Sequence, residues 1–323
     1  MALISVVIPM YNEQECLGPM LERLLALPAD QKDRYEYIFV DDGSTDGTLA
    51  MLRELAGKSE KVKYISFSRN FGHEAALTAG LDHAAGDAVI TLDGDLQHPP
   101  EAIPDLLAKW REGYQIVYAR RQSGEHLPLL KNLLSKTFYR LLRKACPVDI
   151  PADAANFRLM DRRAVEQYRR LRERSRFGRG LVAWTGFKQT FVPYAEERRY
   201  AGQTKYSTWA SARLAIDAFI GFTDLPLRLV YWLAAAMLGV FGVLAALGIV
   251  AMFVTSMYAL PYFAFASVFM VGGAVLLALG LVGSYVGRVF RQSQNRPLYI
   301  VADKSPSLPP GFEGARDGPD KAD

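Results

Sequence analysis

Short apolar runs alternate with helical patterns along the first 119 residues of the chain. Runs rich in β-branched residues predict five buried strands, at residues 4–8, 35–40, 62–66, 88–92 and 115–119. Apolar residues at three-and-four spacing predict four helices between them, over residues 14–27, 45–55, 74–85 and 104–112. This alternation is typical of an α/β fold in which helices cover a mostly parallel sheet.

Turn and cap residues set the expected ends of these elements. Asp46 or Ser44 is placed to cap the second helix, because short polar side chains accept the first free N–H groups of a helix. Gly86 is expected to end the third helix.

Polar clusters follow three of the predicted strands. They are Tyr11-Asn12-Glu13, Asp41-Asp42-Gly43-Ser44 and Asp93-Gly94-Asp95. Ligands of open parallel sheets bind outside the carboxyl ends of the strands. We therefore expect the three clusters to converge on one rim and to form a binding site there.

The residues of this rim suit a nucleotide and a divalent cation. Asp93 and Asp95 can share one hard cation, Gln97 offers a carbonyl oxygen, and a diphosphate can take the remaining positions. Asp42 can accept hydrogen bonds from a nucleobase or ribose. Simpler interpretations stay open, because Asp-x-Asp is common in turns and Asn12-Glu13 also fits a helix start. His73 either faces the rim or lies in a solvated loop.

A long uncharged segment follows, with no Lys, Arg, Asp or Glu between Arg228 and Arg288. Residues 227–255 and 261–287 are each long enough to cross a bilayer, which takes ~20 apolar residues. We expect a two-helix transmembrane hairpin whose glycines also allow packing between protomers in a homo-oligomer. Arginines flank both ends, so the positive-inside rule places the N-terminal domain in the cytoplasm.

Other patterns divide the rest of the chain and exclude several function classes. Residues 129–144 are amphipathic with a basic face, which packs either on the protein or on a membrane surface. Residues 209–225 are a second candidate for lying on the bilayer.

The net charge of +4 gives no reason to expect nucleic acid. Dinucleotide, P-loop, serine-hydrolase and zinc motifs are missing from the sequence, and the two cysteines are expected to be reduced thiols.

Four domains are expected. They are a nucleotide-sugar-binding half (1–119), an acceptor half with interfacial helices (120–226), two transmembrane helices (227–287) and a cytoplasmic tail (288–323). In the tail, a short strand over residues 298–301 precedes a segment that its composition predicts to be disordered.

Four runs carry a resemblance to a known family. They are Val-Val-Ile-Pro-Met-Tyr-Asn-Glu, Val-Asp-Asp-Gly-Ser, Ser-Arg-Asn-Phe-Gly-His-Glu-Ala-Ala and Leu-Asp-Gly-Asp-Leu-Gln-His-Pro-Pro. In this order they resemble the family 2 inverting glycosyltransferases, and within them the polyprenyl-phosphate branch that includes dolichyl-phosphate mannose synthase and the bactoprenol glucosyltransferases. The match continues through residues 156–162, residues 197–206 and the two spans. The resemblance implies a GT-A type nucleotide-sugar-binding domain.

The resemblance also implies roles for particular residues. The nucleoside would be held by Pro9, Tyr11, Glu13 and Asp42. Mg²⁺ or Mn²⁺ and the diphosphate would be held by Asp93, Asp95 and Gln97, with Asp95 counted as catalytic. Arg120 would lie near the reaction centre. Phosphate would be bound by Arg198 or Arg199 with Lys205, and Lys131 and Ser135 are further substrate-binding candidates. Relatives often have a carboxylate where this chain has Asn156, and Asp153 is the candidate to replace it.

The expected reaction is transfer of a sugar from a nucleotide-sugar to polyprenyl (undecaprenyl) phosphate at the cytoplasmic membrane, with inversion. By resemblance, the leading donor is UDP-glucose. A phosphate acceptor is already an anion and needs no strong general base. Two alternatives remain: a glycosyltransferase that uses a lipid hydroxyl or a growing polysaccharide, and a non-catalytic membrane adaptor with the same fold.

Overall fold

The computed structural model describes residues 1–27, 33–122, 154–174, 176–195, 225–254, 260–309 and 311–312. The chain divides into two compact units. The first comprises Met1–Arg143, Val148–Ser211 and Arg296–Asp323, and the second Lys144–Pro147 and Ala212–Asn295. The chain that follows Arg296 therefore returns to the unit that contains the N-terminus.

Eight strands of the first unit form one sheet. They are β1 (Ala2–Met10), β2 (Asp33–Asp41), β3 (Val62–Phe67), β4 (Ala88–Thr91), β5 (Ile116–Arg121), β6 (Ala154–Asp161), β7 (Gln189–Tyr194) and β8 (Val301–Lys304). The described helices of this unit are α1 (Gln14–Leu25), α2 (Thr48–Lys58), α3 (His73–His83), α4 (Ile103–Arg111), α5 (Arg162–Arg170) and α6 (Gly178–Trp184), with a 3₁₀ turn at Pro100–Ala102.

The strand order is β7-β5-β6-β4-β1-β2-β3-β8. β1 runs parallel to β2 and β4, and β3 runs parallel to β2. β6 is antiparallel to both β4 and β5, so β5 points in the same direction as β4. The carboxyl ends of β1 to β5 therefore lie at one edge of the sheet. The expected mostly parallel α/β sheet is confirmed.

Both faces of the central strands are covered, which explains their nearly continuous apolar sequence. Ile4, Val6 and Ile8 of β1 are buried in the main hydrophobic cluster, together with apolar residues of α1 and α4. Val7 points to the other face, toward α3. A Cβ at Gly80 would overlap the Val7 side chain, so this glycine allows α3 to pack closely on β1.

Two expected helix ends are shifted. α2 begins at Thr48, and Ser44 does not cap it but accepts a hydrogen bond from the backbone N–H of Asn12. Asp46 does accept the N–H of Thr48 at 3.0 Å. α3 ends at His83 and not at Gly86. A Cβ at Gly86 would lie 2.6 Å from the backbone nitrogen of Ser5, so this glycine serves close packing.

The C-terminal segment corrects two expectations. The strand lies at Val301–Lys304, not at residues 298–301, and it pairs antiparallel with β3. Arg53 donates two hydrogen bonds to Asp303, at 2.9 and 2.7 Å. Ser305 and Leu308 are buried, so the segment predicted to be disordered is packed as far as this point. Residues 313–323 lie outside the described chain.

Tyr299 links this segment to α3, which gives a first prediction. Its hydroxyl donates a hydrogen bond to the buried carboxylate of Asp82 at 2.8 Å. Hydrogen bonds to charged groups contribute about 1.5–3 kcal/mol, so we expect Tyr299→Phe to lower the free energy of unfolding by about that amount. Denaturant unfolding of the purified protein measures it. Tyr114→Phe is the control, because phenylalanine keeps the ring that the Lys188 ammonium contacts at 4.4 Å. Equal stability of the two variants would contradict the prediction.

The second unit contains two long apolar helices, α7 (Leu225–Val254) and α8 (Leu260–Ser293). Within the part of the chain that the structure describes, one stretch, Met270–Ser293, is long and apolar enough to cross a membrane. In α7, the shorter stretch Val230–Val243 is apolar. Of the two expected spans, one therefore has a candidate among the described residues.

Candidate active site

The ends of β1 and β2 are joined by Asn12. Its backbone N–H donates to the Ser44 hydroxyl at 2.9 Å, and its side-chain oxygen accepts the N–H of Thr45 at 2.8 Å. Asn12 has a φ of 52°, which turns the chain sharply after β1. The first two polar clusters therefore converge, as the sequence predicts.

The end of β2 is joined in turn to the loop before α3. Asp42 is buried, and its carboxylate accepts the N–H groups of Phe71 at 2.7 Å and Gly72 at 2.9 Å. Burial raises the pKa of Asp42, and these hydrogen bonds offset that rise only in part. Gly72 has a φ of 100°, which favours glycine at this position. Asp42 thus holds the loop that leads to His73, and its contact with a nucleoside stays a prediction.

Asp93 lies between two histidines at the end of β4. His73 Nε2 is 2.8 Å from Asp93 Oδ1, and His98 Nδ1 is 3.6 Å from Asp93 Oδ2. Burial by itself would raise the pKa of Asp93, but the hydrogen bond from His73 and nearby positive charges hold this pKa well below its usual range. One of these charges belongs to Arg179, in the first turn of α6. Asp93 is therefore an oriented and ionised carboxylate.

The loop around Gly94 is held tightly against β1. A Cβ at Gly94 would overlap the Met10 sulfur and would lie 2.9 Å from the carbonyl oxygen of Pro9. Leu96 has a φ of 61°, a left-handed conformation that is unusual for a bulky residue, and its side chain is buried. Such strain persists only where the surrounding packing imposes it, and it is common at functional sites.

Asp95 follows on the same loop and is half-buried. Its Oδ1 accepts the backbone N–H of Gln97 at 3.1 Å, so the two residues are held next to each other. Asp93, Asp95 and Gln97, the three predicted metal-binding residues, are thus grouped at the end of β4.

The described residues include no group of three or more His, Cys, Asp or Glu side chains that could hold a metal ion. Asp93 and Asp95 nevertheless suit Mg²⁺ or Mn²⁺. Mg²⁺ is usually bound by one or two carboxylates together with substrate phosphates, not by an all-protein cage.

The remaining described candidates lie at the same edge of the sheet. Glu13 directly precedes α1, and its backbone N–H donates to the Thr48 hydroxyl at 3.2 Å. Tyr11 is half-buried just after β1. Arg120 lies near the end of β5, with its guanidinium 4.0 Å from the centre of the Phe191 ring. β6 lies between β5 and β4 in the sheet. Because neighbouring strands are usually about 4.8 Å apart, β5 lies about 10 Å from β4.

Six predicted site residues lie outside the described residues. They are Lys131, Ser135, Asp153, Arg198, Arg199 and Lys205. The amphipathic stretch 129–144 and residues 209–224 lie outside them too. Their roles stay predictions.

Two further residues near this site are not identified by the sequence motifs: His98, beside Asp93, and Arg158, which pairs with Thr91 at the end of β4. His98 packs against the rings of Phe157 and Tyr194, with centroids 5.5 and 5.6 Å away. Arg158 is fully buried in β6, and none of its side-chain nitrogens has a hydrogen-bond partner among the described residues. Burying a charge without a partner is costly. A single arginine within the apolar run 157–160 is the signal that could have identified it.

Known proteins resemble this chain over most of its length. The model of glycosyl transferase family 2 matches residues 5–169. A glycosyltransferase of Synechocystis sp. is 41% identical over 302 residues, which cover 93% of this chain and 95% of that protein. The bactoprenol glucosyl transferase of Shigella phage SfV is 34% identical, with 93% of this chain and 98% of that protein covered.

Similar solved structures include the mannosyltransferase PcManGT from Pyrobaculum calidifontis in complex with GDP-Man and Mn²⁺. It has a TM-score of 0.47 and 18% identity, and the match covers 90% of this chain and 88% of that one. The family model matches about half of the chain, and the relatives above 30% identity cover more than 90% of it. The chain therefore belongs to glycosyl transferase family 2.

Proposed function

We propose that this protein transfers a sugar from a nucleotide-sugar to polyprenyl phosphate and inverts the anomeric centre. One observation carries the proposal. The carboxylates of Asp93 and Asp95 lie at the carboxyl edge of the sheet, in a chain that matches bactoprenol glucosyl transferases over more than 90% of its length. Because those relatives are named for glucosyl transfer, glucose is the proposed sugar and UDP-glucose the proposed donor.

The donor would bind across the ends of β1, β2 and β4. Pro9, Tyr11, Glu13 and Asp42 are the residues proposed to bind the nucleoside. The contacts of Asn12 with Ser44 and Thr45 support this placement, because they bring the ends of β1 and β2 together.

The diphosphate would lie at Asp93, Asp95 and Gln97, which would hold Mg²⁺ or Mn²⁺. When bound, such a cation neutralises the negative charge that develops on the leaving diphosphate. Asp93 is already ionised and oriented by His73. Asp95 is half-buried, so a ligand can reach the loop from the solvent side.

The acceptor would enter with its phosphate already charged. A phosphate oxygen forms a bond to the anomeric carbon while the bond from that carbon to the diphosphate oxygen breaks. Direct displacement inverts the anomeric centre and needs no strong general base. The main task is then to bring two anions together, and guanidinium groups bind phosphate well. Arg120, Arg198, Arg199 and Lys205 are proposed for this task, with Lys131 and Ser135 as further candidates. Asp153 is proposed instead to replace the carboxylate that relatives often have at the position of Asn156.

Membranes that contain the protein, incubated with UDP- and GDP-sugars and undecaprenyl phosphate, test the reaction. We expect a lipid-linked monosaccharide that mild acid releases, formed best from UDP-glucose, and mass spectrometry of the lipid identifies it. A labelled polymer, or a glycolipid that mild acid leaves intact, would indicate a different acceptor. If no sugar of the panel is transferred, the proposal that this protein is a glycosyltransferase enzyme is wrong.

The position of β8 bears on the membrane topology. β8 pairs with β3 in the sheet that also contains β7, so no bilayer separates the end of β7 from the start of β8. The number of membrane crossings between them is therefore even. If α8 crosses the membrane, a second crossing is needed between β7 and β8. α7 is an apolar helix that can supply it, which favours the two-span hairpin. The flanking arginines support a position of the sheet on the cytoplasmic side.

Cysteine labelling in intact cells tests this topology. In a variant without Cys16 and Cys146, we expect Ser256→Cys, between the two helices, to react with an impermeant maleimide from outside. Gln294→Cys, after α8, should react only once the membrane is permeabilised. Labelling of both positions from the same side would contradict the two-span hairpin.

A further inference from the structure

The hydrogen bond between His73 and Asp93 joins two elements that are far apart in the sequence. His73 is the first residue of α3, and Asp93 lies two residues after β4, which ends at Thr91. The 2.8 Å distance between Nε2 and Oδ1 is that of a good hydrogen bond. One oxygen of a predicted metal-binding carboxylate is therefore already engaged by the protein.

The position of His73 is itself imposed from the end of β2. Asp42 accepts the N–H groups of Phe71 and Gly72, the two residues that lead into α3. The φ of 100° at Gly72 then directs the chain into the helix at His73. Contacts thus run from the end of β2, through this loop, to the carboxylate at the end of β4.

A purely structural role does not explain this pair well. The side chains of His73 and Asp93 are 29% and 26% exposed, and ion pairs that contact solvent contribute only about 0–1 kcal/mol to stability. His83, at the other end of α3, makes a useful contrast. It is buried, and among the described residues its ring bonds only the carbonyl of Ala79 in its own helix, at 2.9 Å.

We propose that His73 is a positioning residue that holds the Asp93 carboxylate in a single orientation for the metal–diphosphate group of the donor. This inference rests on the proposed function. Partners that hydrogen-bond a ligating carboxylate fix its direction, and their loss typically weakens metal affinity about 10–100-fold. His73 acts through Asp93.

Binding of UDP measured at increasing Mn²⁺ concentrations tests the proposal without the transfer reaction. We expect His73→Leu to raise the Mn²⁺ concentration needed for half-maximal UDP binding about 10–100-fold. His73→Gln should restore much of the loss, because its amide N–H can donate to the same oxygen. His83→Leu should lower the thermal stability and leave the Mn²⁺ dependence as in the wild type. An unchanged Mn²⁺ dependence in His73→Leu would overturn the inference.

A second measurement needs no ligand at all. The chain has four histidines, so ¹⁵N-histidine labelling gives few signals, which single substitutions can assign. We expect Asp93→Ala to shift the Nε2–H signal of His73 strongly and to leave the signals of His83 in place. An unmoved His73 signal would overturn the inference. If this signal shifts but the wild-type protein forms no lipid-linked sugar in the transfer assay, the proposed reaction is wrong and the positioning of Asp93 by His73 stands.

Discussion

Asp95→Ala is expected to lower the rate of sugar transfer about 10²–10³-fold, the usual cost of removing one group that stabilises developing charge. Asp95 lies on the loop after β4, next to Gln97, and is half-buried. Its carboxylate is proposed to hold the cation that balances the leaving diphosphate. Without it, the negative charge that develops on this group lacks its main stabilisation.

Formation of the lipid-linked sugar in membranes measures the effect. Asp105→Ala is the matched control, because Asp105 is an exposed aspartate in the first turn of α4. We expect this control to retain wild-type turnover. The melting temperature of Asp95→Ala should stay close to that of the wild type, since the residue lies outside the core. Wild-type turnover in folded Asp95→Ala would refute the metal assignment.

Gly94→Ala is expected to damage both stability and activity. The new Cβ would overlap the Met10 sulfur and come within 2.9 Å of the Pro9 carbonyl oxygen. Inserting a methyl group into such packing costs about 1–3 kcal/mol. The loop must move away from β1 and carry Asp93 and Asp95 with it. A displacement of about 1 Å at a reacting site can cost about 10²-fold in rate.

Gly57→Ala is the control for this substitution. Gly57 lies in α2, and a Cβ there would meet no atom within 4 Å. Alanine in a helix is about 0.5–1 kcal/mol more favourable than glycine, so this variant should be slightly more stable and fully active. Thermal unfolding and the transfer assay compare the two variants. If Gly94→Ala behaves like Gly57→Ala, the loop after β4 is not held as tightly as its packing indicates.

The expected elements of the first 119 residues correspond to the structure because their signals are local. The first strand was expected over residues 4–8 and spans Ala2–Met10, and the third was expected over 62–66 and spans Val62–Phe67. Period and composition within one segment determine whether it forms a strand or a helix. The predicted rim follows from the same signals, since parallel strands present their carboxyl ends at one edge.

The C-terminal segment was predicted less well. Its strand was placed three residues too early and the chain after it was expected to be disordered, whereas Ser305 and Leu308 are buried. A segment rich in proline and polar residues carries no periodic signal of its own. Its order comes from partners elsewhere, such as Arg53, which is 250 residues away from Asp303.

The sequence by itself determined the parallel α/β domain, the three polar strand ends and the uncharged C-terminal segment. Only the tertiary structure decided the antiparallel insertion of β6, the return of β8 to the sheet and the hydrogen bond between His73 and Asp93. Local periodicity depends on residues three or four positions apart. These other features depend on which distant surfaces pack together, and a linear pattern does not record that.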